Sequence, residues 1–256
     1  MKIELPMQDP LIDDEAYLAK LKQELRQWMK AQEKGPTLMD KWASKTQAKM
    51  NSYIPTKVHV AITVAIQQMV KAVLFGSQFT NQKPLRDKGL IYRELMAKKK
   101  MKAYRQVATI EGGVTGAGGL LMGMADFPLF FSIKMKMLFE LAAVYGYDTK
   151  DYKERLYLLY IFQLAFSSKE ESTRVYHKIL RWESIMDSLP MDINEFDWYT
   201  FQQQYRDYLD IAKLAQLIPV VGAFVGVVVN YRLIGKLADT AKQAFRYRLL
   251  QGKDFK

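Results

Sequence analysis

Few side chains in this sequence could carry out chemistry. The chain has two histidines, His59 and His177, and no cysteine. Nucleophilic catalysis of the triad kind needs a base beside a serine or thiol. His59 falls in an apolar helical stretch and His177 in an amphipathic one, and neither adjoins a nucleophile-elbow sequence. Both read as structural or surface residues. With no thiolate and no HExxH, no metal centre and no cofactor is expected. Carboxylates remain. Asp126 and Glu140 share a helical face, but at about 1.5 Å per residue they sit roughly 20 Å apart along it, too far to flank one bond. Asp126 reads as an N-cap and Glu140 as a buried or surface partner. A hydrolase centred on these two requires helices that fold back, so that Glu111, Asp126, Glu140 and Asn230 meet in a polar pocket.

The stretch GGVTGAGG from Gly112 raises a second chemistry, a phosphate cradle. Such loops join a strand to a helix and carry a following lysine and hydroxyl, and both the strand and the lysine are missing. Gly112, Gly116, Gly119 and Gly123 are instead spaced four, three and four apart, which on a single helix makes a stripe free of side chains. Each interior glycine costs a helix about 1 kcal/mol, so the stripe calls for compensation by a closely packed backbone. The expected partner is the Gly222/Gly226 face of the segment after Pro219.

A third chemistry is ionic. The chain carries a net charge of +11, and residues 86–105 hold eight bases against two acids. Lys98, Lys99, Lys100, Lys102 and Arg105 form the densest part. An anionic membrane face or an acidic partner suits this run, as does a plain solvated surface. Nucleic acid is disfavoured, because no helix-turn-helix, zinc or aromatic platform accompanies the charge. The tail FRYRLL (245–250) mixes aromatic and basic residues and reads as added support for an interface.

These residues must be positioned by helices. Apolar residues recur at helical spacing over 13–33, from Thr37 to about Met50, from Thr56 through Val73, and from Leu85 into the glycines. Asp126 with Pro128 predicts a new helix start. Gly146, in Tyr145-Gly146-Tyr147-Asp148, suits the left-handed residue that ends it, and Asp148 or Thr149 suits the next cap. Helices follow over 152–166, 169–189, about 197–218 and 220–250, with breaks at Ser167-Ser168, Pro190 and Pro219. No period-two alternation occurs. The fold class is all-α: a compact bundle of about eight to ten helices with two glycine-rich, closely packed ones. Residues 1–55 form an N-terminal helical segment and 56–256 one helical domain.

A membrane span needs about 20 mainly apolar residues. The uncharged runs at Val58, Gly112 and Leu156 are shorter, and the one from Leu214 to Tyr231 is divided by Pro219. Such lengths fit core helices or shallow hairpins. The N-terminus lacks the apolar region of a signal peptide, and the absence of cysteine suits a reducing compartment. A cytoplasmic location is expected.

ATIEGGVTGAGGLLMGMADFPLFFSIKMKMLFELAAVYGYD (108–148), YKERLYLLYIFQLAF (152–166) and IAKLAQLIPVVGAFVGVVVNYRLIGKLADTAKQAFRYRLL (211–250) together resemble the EcsC family. The combination carries the resemblance: a glycine-rich helix into Ala-Asp-x-Pro, then Tyr-Gly-Tyr-Asp, then Ile-Pro-Val-Val-Gly-Ala with a downstream asparagine. The family takes its name from the third gene of a bacterial operon that encodes an ABC transporter. The resemblance implies a role beside such a transporter, with its subunits as partners, and it brings no catalytic residues with it. The expectation is therefore a non-enzymatic accessory or regulator, peripheral at the inner membrane face through the basic helix. The carboxylate hydrolase and a protein-binding module without membrane contact stand as alternatives.

Overall fold

The computed structural model describes residues 15–35, 56–75, 83–115, 119–202 and 222–251, with side chains at all of these except 57–59, 61–62, 108–130, 222–227 and 229. Among the described residues the chain is all-α and forms no strand. In order, the helices are α1 (Glu15–Glu33), α2 (Thr56–Phe75), α3 (Leu90–Thr115), α4 (Gly119–Val144), α5 (Tyr152–Phe166), α6 (Lys169–Leu180), α7 (Trp182–Ser188) and α8 (Gly222–Gln251), with a 3₁₀ turn at Ile193–Glu195.

Helix α5 is the centre. From Leu156 to Phe166 every residue is buried, as expected of a helix that is apolar on all sides. Asp151 caps it by accepting from the Lys153 amide, in place of the expected Asp148 or Thr149. Asp148 instead accepts from the Lys150 amide and shapes the preceding turn. Ser168 caps α6, at the break foreseen there. The expected 169–189 helix is interrupted at Arg181, which separates α6 from α7. Helix α1 sends Leu21 and Leu25 into the same core, and Trp28 meets Tyr176 of α6 edge-on. Helix α1 thus shares the core of the later helices. The expected helix at 37–50, and the part of the expected 197–218 helix that follows Gln202, lie outside the described residues.

Two corrections concern the glycine region. Helix α4 begins at Gly119 and runs through Asp126 and Pro128, so Asp126 is no helix start. Nor do the glycines share one helix. Tyr145, just beyond α4, bonds to Glu94 of α3, and Lys100 of α3 pairs with Glu140 of α4. In one continuous helix Glu94 and Tyr145 would lie about 75 Å apart. Helices α3 and α4 are therefore antiparallel arms, with Gly112 on one and Gly119 and Gly123 on the other. Gly116 lies outside the described residues.

Helix α8 packs against both arms and is antiparallel to α3: Arg246 meets Glu94, while Asp239 meets Arg105. The C-terminal end of α3 and the N-terminal ends of α4 and α8 are thereby gathered at one end of the bundle. The far end holds the turn after α4.

Candidate functional site

The two long helices α3 and α8 carry basic residues at both ends of their contact, and the two ends differ. At the α4 turn, Gly146 takes φ +93. Its amide bonds to the Ala143 carbonyl (3.0 Å) and that of Tyr147 to Ala142 (2.9 Å), which closes the helix as the sequence predicts. Arg93 Nη1 donates to the Tyr145 carbonyl at 2.7 Å and Arg86 Nε to that of Gly146 at 3.1 Å. A Cβ on Gly146 would stand 2.8 Å from Arg93 Nη1.

Beneath this turn lies a sealed ionic layer. Arg246 and Glu94 are fully buried and meet as a two-toothed pair, both contacts 2.5 Å. Tyr145 donates its hydroxyl to Glu94 at 2.9 Å, and Glu24 of α1 accepts from Arg246 at 2.8 Å. Burial opposes the Arg246 charge, but the hydrogen bonds and charges of Glu94, then Glu24, outweigh it and raise its pKa. Burial, joined by the Glu94 charge, pushes the Tyr145 hydroxyl well above its ordinary value. Beside it, Arg248 forms a second fork to Glu154 (2.7 and 2.9 Å) and reaches Glu183 at 3.0 Å. Its guanidinium lies 4.0 Å from the Tyr147 ring centre and 4.5 Å from that of Tyr157. Phe245 stacks on both Tyr145 and Tyr147.

This overturns the interface reading of FRYRLL. Its arginine side chains are buried, each meeting one largely buried and one surface glutamate, and Phe245 and Leu250 belong to the core. The acids lie 65 or more residues away in sequence, so the local pattern could not reveal the pairing.

Toward the other end, α3 and α8 border a surface groove of about 510 Å³. Lys98, Met101, Lys102 and Arg105 line it from α3, at helical spacings of three, one and three. Tyr231, Asp239 and Lys242 line it from α8, and Gly235 lies between the first two on the same face. The missing side chain at Gly235 lets the Arg105 guanidinium lie flat on α8; a Cβ there would stand 3.2 Å from Arg105 Nε. Arg105 bonds to Asp239 at 2.9 Å and lies 5.9 Å from the Tyr231 ring centre. Lys242 meets the same carboxylate at 3.3 Å. Lys98 donates to the Tyr17 hydroxyl at 3.1 Å.

The five predicted cations are thus divided. Lys98, Lys102 and Arg105 line the groove. Lys99 is exposed on an outer face of α3. Lys100 turns away and is tied to Glu140 at 2.8 Å. Tyr104 also bonds to Glu140, and burial, then this carboxylate, raises its hydroxyl pKa. Glu140 therefore has two close partners on α3, and one unbroken helix separates it from Asp126 by about 21 Å. The side chains of Glu111 and Asp126 lie outside the described residues. Asn230 is buried in α8, and His177 is exposed at the end of α6. No group of three or more histidine, cysteine or acidic residues suited to a metal occurs among the described residues. No described helix is long and apolar enough to cross a membrane. Sequence spacing found the α3 side of the groove; Lys242, Tyr231 and Gly235 went unnoticed, because their 3–4 periodicity in the last helix reads equally well as a core face.

Comparison with known proteins gives a consistent result. A family model described as the EcsC protein family matches residues 19–250. Protein EcsC of Bacillus subtilis (strain 168) is 41% identical over 232 residues, covering 90% of this chain and 95% of that one. A second protein of the same organism, the uncharacterized protein YdbA, is 26% identical over 141 residues, covering 55% of this chain and 52% of its own. No solved structure matches.

Proposed function

The chain belongs to the EcsC protein family, and from that premise we propose that it is a non-enzymatic accessory or regulator of a bacterial ABC transporter, held at the cytoplasmic membrane face by the basic side of α3. The transporter as partner follows from the family resemblance. The membrane half rests on one observation: Lys98, Lys99 and Lys102 project from α3 as exposed cations, and among the described residues none of them forms an ion pair. Near an anionic leaflet each basic group contributes about 1 kcal/mol, so three supply on the order of a hundredfold in partitioning. Such binding is reversible and weakens with salt. A hydrolytic reading is not favoured, since Glu140 is engaged by Lys100 and Tyr104. In this reading Gly112, Gly116, Gly119, Gly123, Gly222 and Gly226 serve close helix packing at the gathered helix ends.

Flotation of the full chain with phosphatidylglycerol-containing and pure phosphatidylcholine vesicles, at low and high salt, tests the membrane half. The expected result is recovery with the anionic vesicles at low salt only. Recovery in the soluble fraction under every condition would leave a protein-binding module without membrane contact. Co-purification with the transporter subunits tests the other half.

A further inference from the structure

We propose that the α3–α8 groove is a discrete site for the headgroup of an anionic phospholipid, seating one lipid rather than merely attracting a charged surface. This rests on the membrane reading above and says which residues and which lipid atoms would meet.

Charge is the first ground. Four bases, Lys98, Lys102, Arg105 and Lys242, border the groove with one acid, Asp239. That carboxylate is shared by Arg105 and Lys242. The Glu24 carboxylate of α1, bonded to Arg246, lies close enough to feel the charges of Lys242 and Lys98, so the lining keeps an excess of bases with Lys102 the least compensated. At the other end of the contact, the two buried arginine side chains of α8 are each matched by two glutamates. A cluster in which bases outnumber acids on converging helix faces suits an anion from outside, and phosphoryl oxygens offer several acceptors to ammonium and guanidinium groups.

Shape is the second. The groove volume of about 510 Å³ falls within the range of about 300–1,000 Å³ typical of small-ligand sites. Its base is preorganised, since Arg105 is laid against Gly235 and fixed by Asp239.

Polarity along the groove is the third, and it selects an amphiphile over a free phosphate. Lys98 and Lys242 mark one end. At the other, α8 exposes Tyr231 and, one turn further on the same face, Val228, at 45% and 37% exposure. A phosphoryl group held by the lysines would direct its glycerol and acyl portion along Tyr231 toward Val228, at the end where the glycine-bearing helix ends gather. Lys99, on the outer face, and Lys100, tied to Glu140, take no part.

The test compares two charge reversals three residues apart on one helix, Lys102→Glu in the groove and Lys99→Glu outside it. Both positions are exposed, so both variants should fold. The full chain would be titrated calorimetrically with a short-chain phosphatidylglycerol kept below its micelle concentration, and separately with glycerol 3-phosphate and inorganic phosphate. The expected result is saturable binding of the lipid, weakened tenfold or more by Lys102→Glu and by Lys242→Ala and less than twofold by Lys99→Glu. Glycerol 3-phosphate and inorganic phosphate should bind at least tenfold more weakly than the lipid. Equal losses from Lys99→Glu and Lys102→Glu would overturn the site while leaving diffuse membrane attraction intact. Equal affinity for lipid and glycerol 3-phosphate would make it a site for a soluble phosphate ester. Vesicle flotation without monomeric lipid binding would also overturn it, and failure of the parent chain to float at all would remove the membrane reading itself.

Discussion

The two ends of the α3–α8 contact are built from the same helices and from similar residues, yet they have opposite electrostatic fates. At the α4 turn, Arg246 and Arg248 are buried and answered by Glu94, Glu24, Glu154 and Glu183. At the groove, Lys98, Lys102, Arg105 and Lys242 line the surface with one acid, Asp239, which meets Arg105 and Lys242 only. The difference teaches that basic character has no fixed meaning until the partners are known. Taking a guanidinium out of water costs several kcal/mol, and it persists only where well-placed acids and hydrogen bonds offset that. Ammonium groups left near the surface pay no such cost and remain free to recruit an outside anion.

The largest test of this contrast is Arg246→Met. It leaves Glu94 buried without its fork, so the expected loss is about 3–5 kcal/mol of unfolding free energy, read from denaturant midpoints. A change below about 0.5 kcal/mol, the range of ordinary surface substitutions, would show that water reaches the layer. Next comes Gly146→Ala, which forces a side chain into the left-handed region and against Arg93. A loss of about 1–3 kcal/mol is expected, and a thermal midpoint equal to that of the parent would contradict the close approach of Arg93 to this turn.

Alkaline pH probes the sealed end with no mutation. Burial raises the hydroxyl pKa values of Tyr145 and Tyr157 well above 10.0, with the Glu94 charge adding to it at Tyr145 and the Arg248 charge opposing it at Tyr157. In the unfolded chain these tyrosines ionise near that value, while in the folded protein they stay protonated. The unfolded state then binds fewer protons, so their contribution is complete below pH 10 and is lost as pH climbs toward the folded pKa values. Tyrosinate absorbance should therefore lag behind that of the denatured chain and appear together with loss of helical signal. Titration of all tyrosines before unfolding would mean the layer is open. The smallest expected effect on stability is that of Lys102→Glu, within about 0.5 kcal/mol of the parent, because the side chain is exposed and unpaired among the described residues. A large destabilisation there would give the groove lysine a structural role and erase the contrast.

Much of the fold is legible from local rules. The uniformly apolar 156–166 run, the serines before α6 and Gly146 after α4 each act through neighbours a few residues away, and each behaves as its spacing suggests. The glycine stripe and the Asp126 start mislead for the same reason in reverse. A helical wheel assumes that the chain continues straight, and the antiparallel packing of α3 and α4 breaks that assumption.

For the candidate site, the sequence by itself determined that the molecule is helical, rich in positive charge, and most basic along Lys98–Arg105. Periodicity and composition act over a few residues, so one dimension suffices for them. Tertiary structure alone decided which charges are spent. Glu94 finds Arg246 across 152 positions and Lys100 finds Glu140 across 40, because Coulomb attraction and desolvation depend on distance and burial in space. Only after α3 and α8 are laid antiparallel does the basic run separate into paired, outward and groove-lining cations.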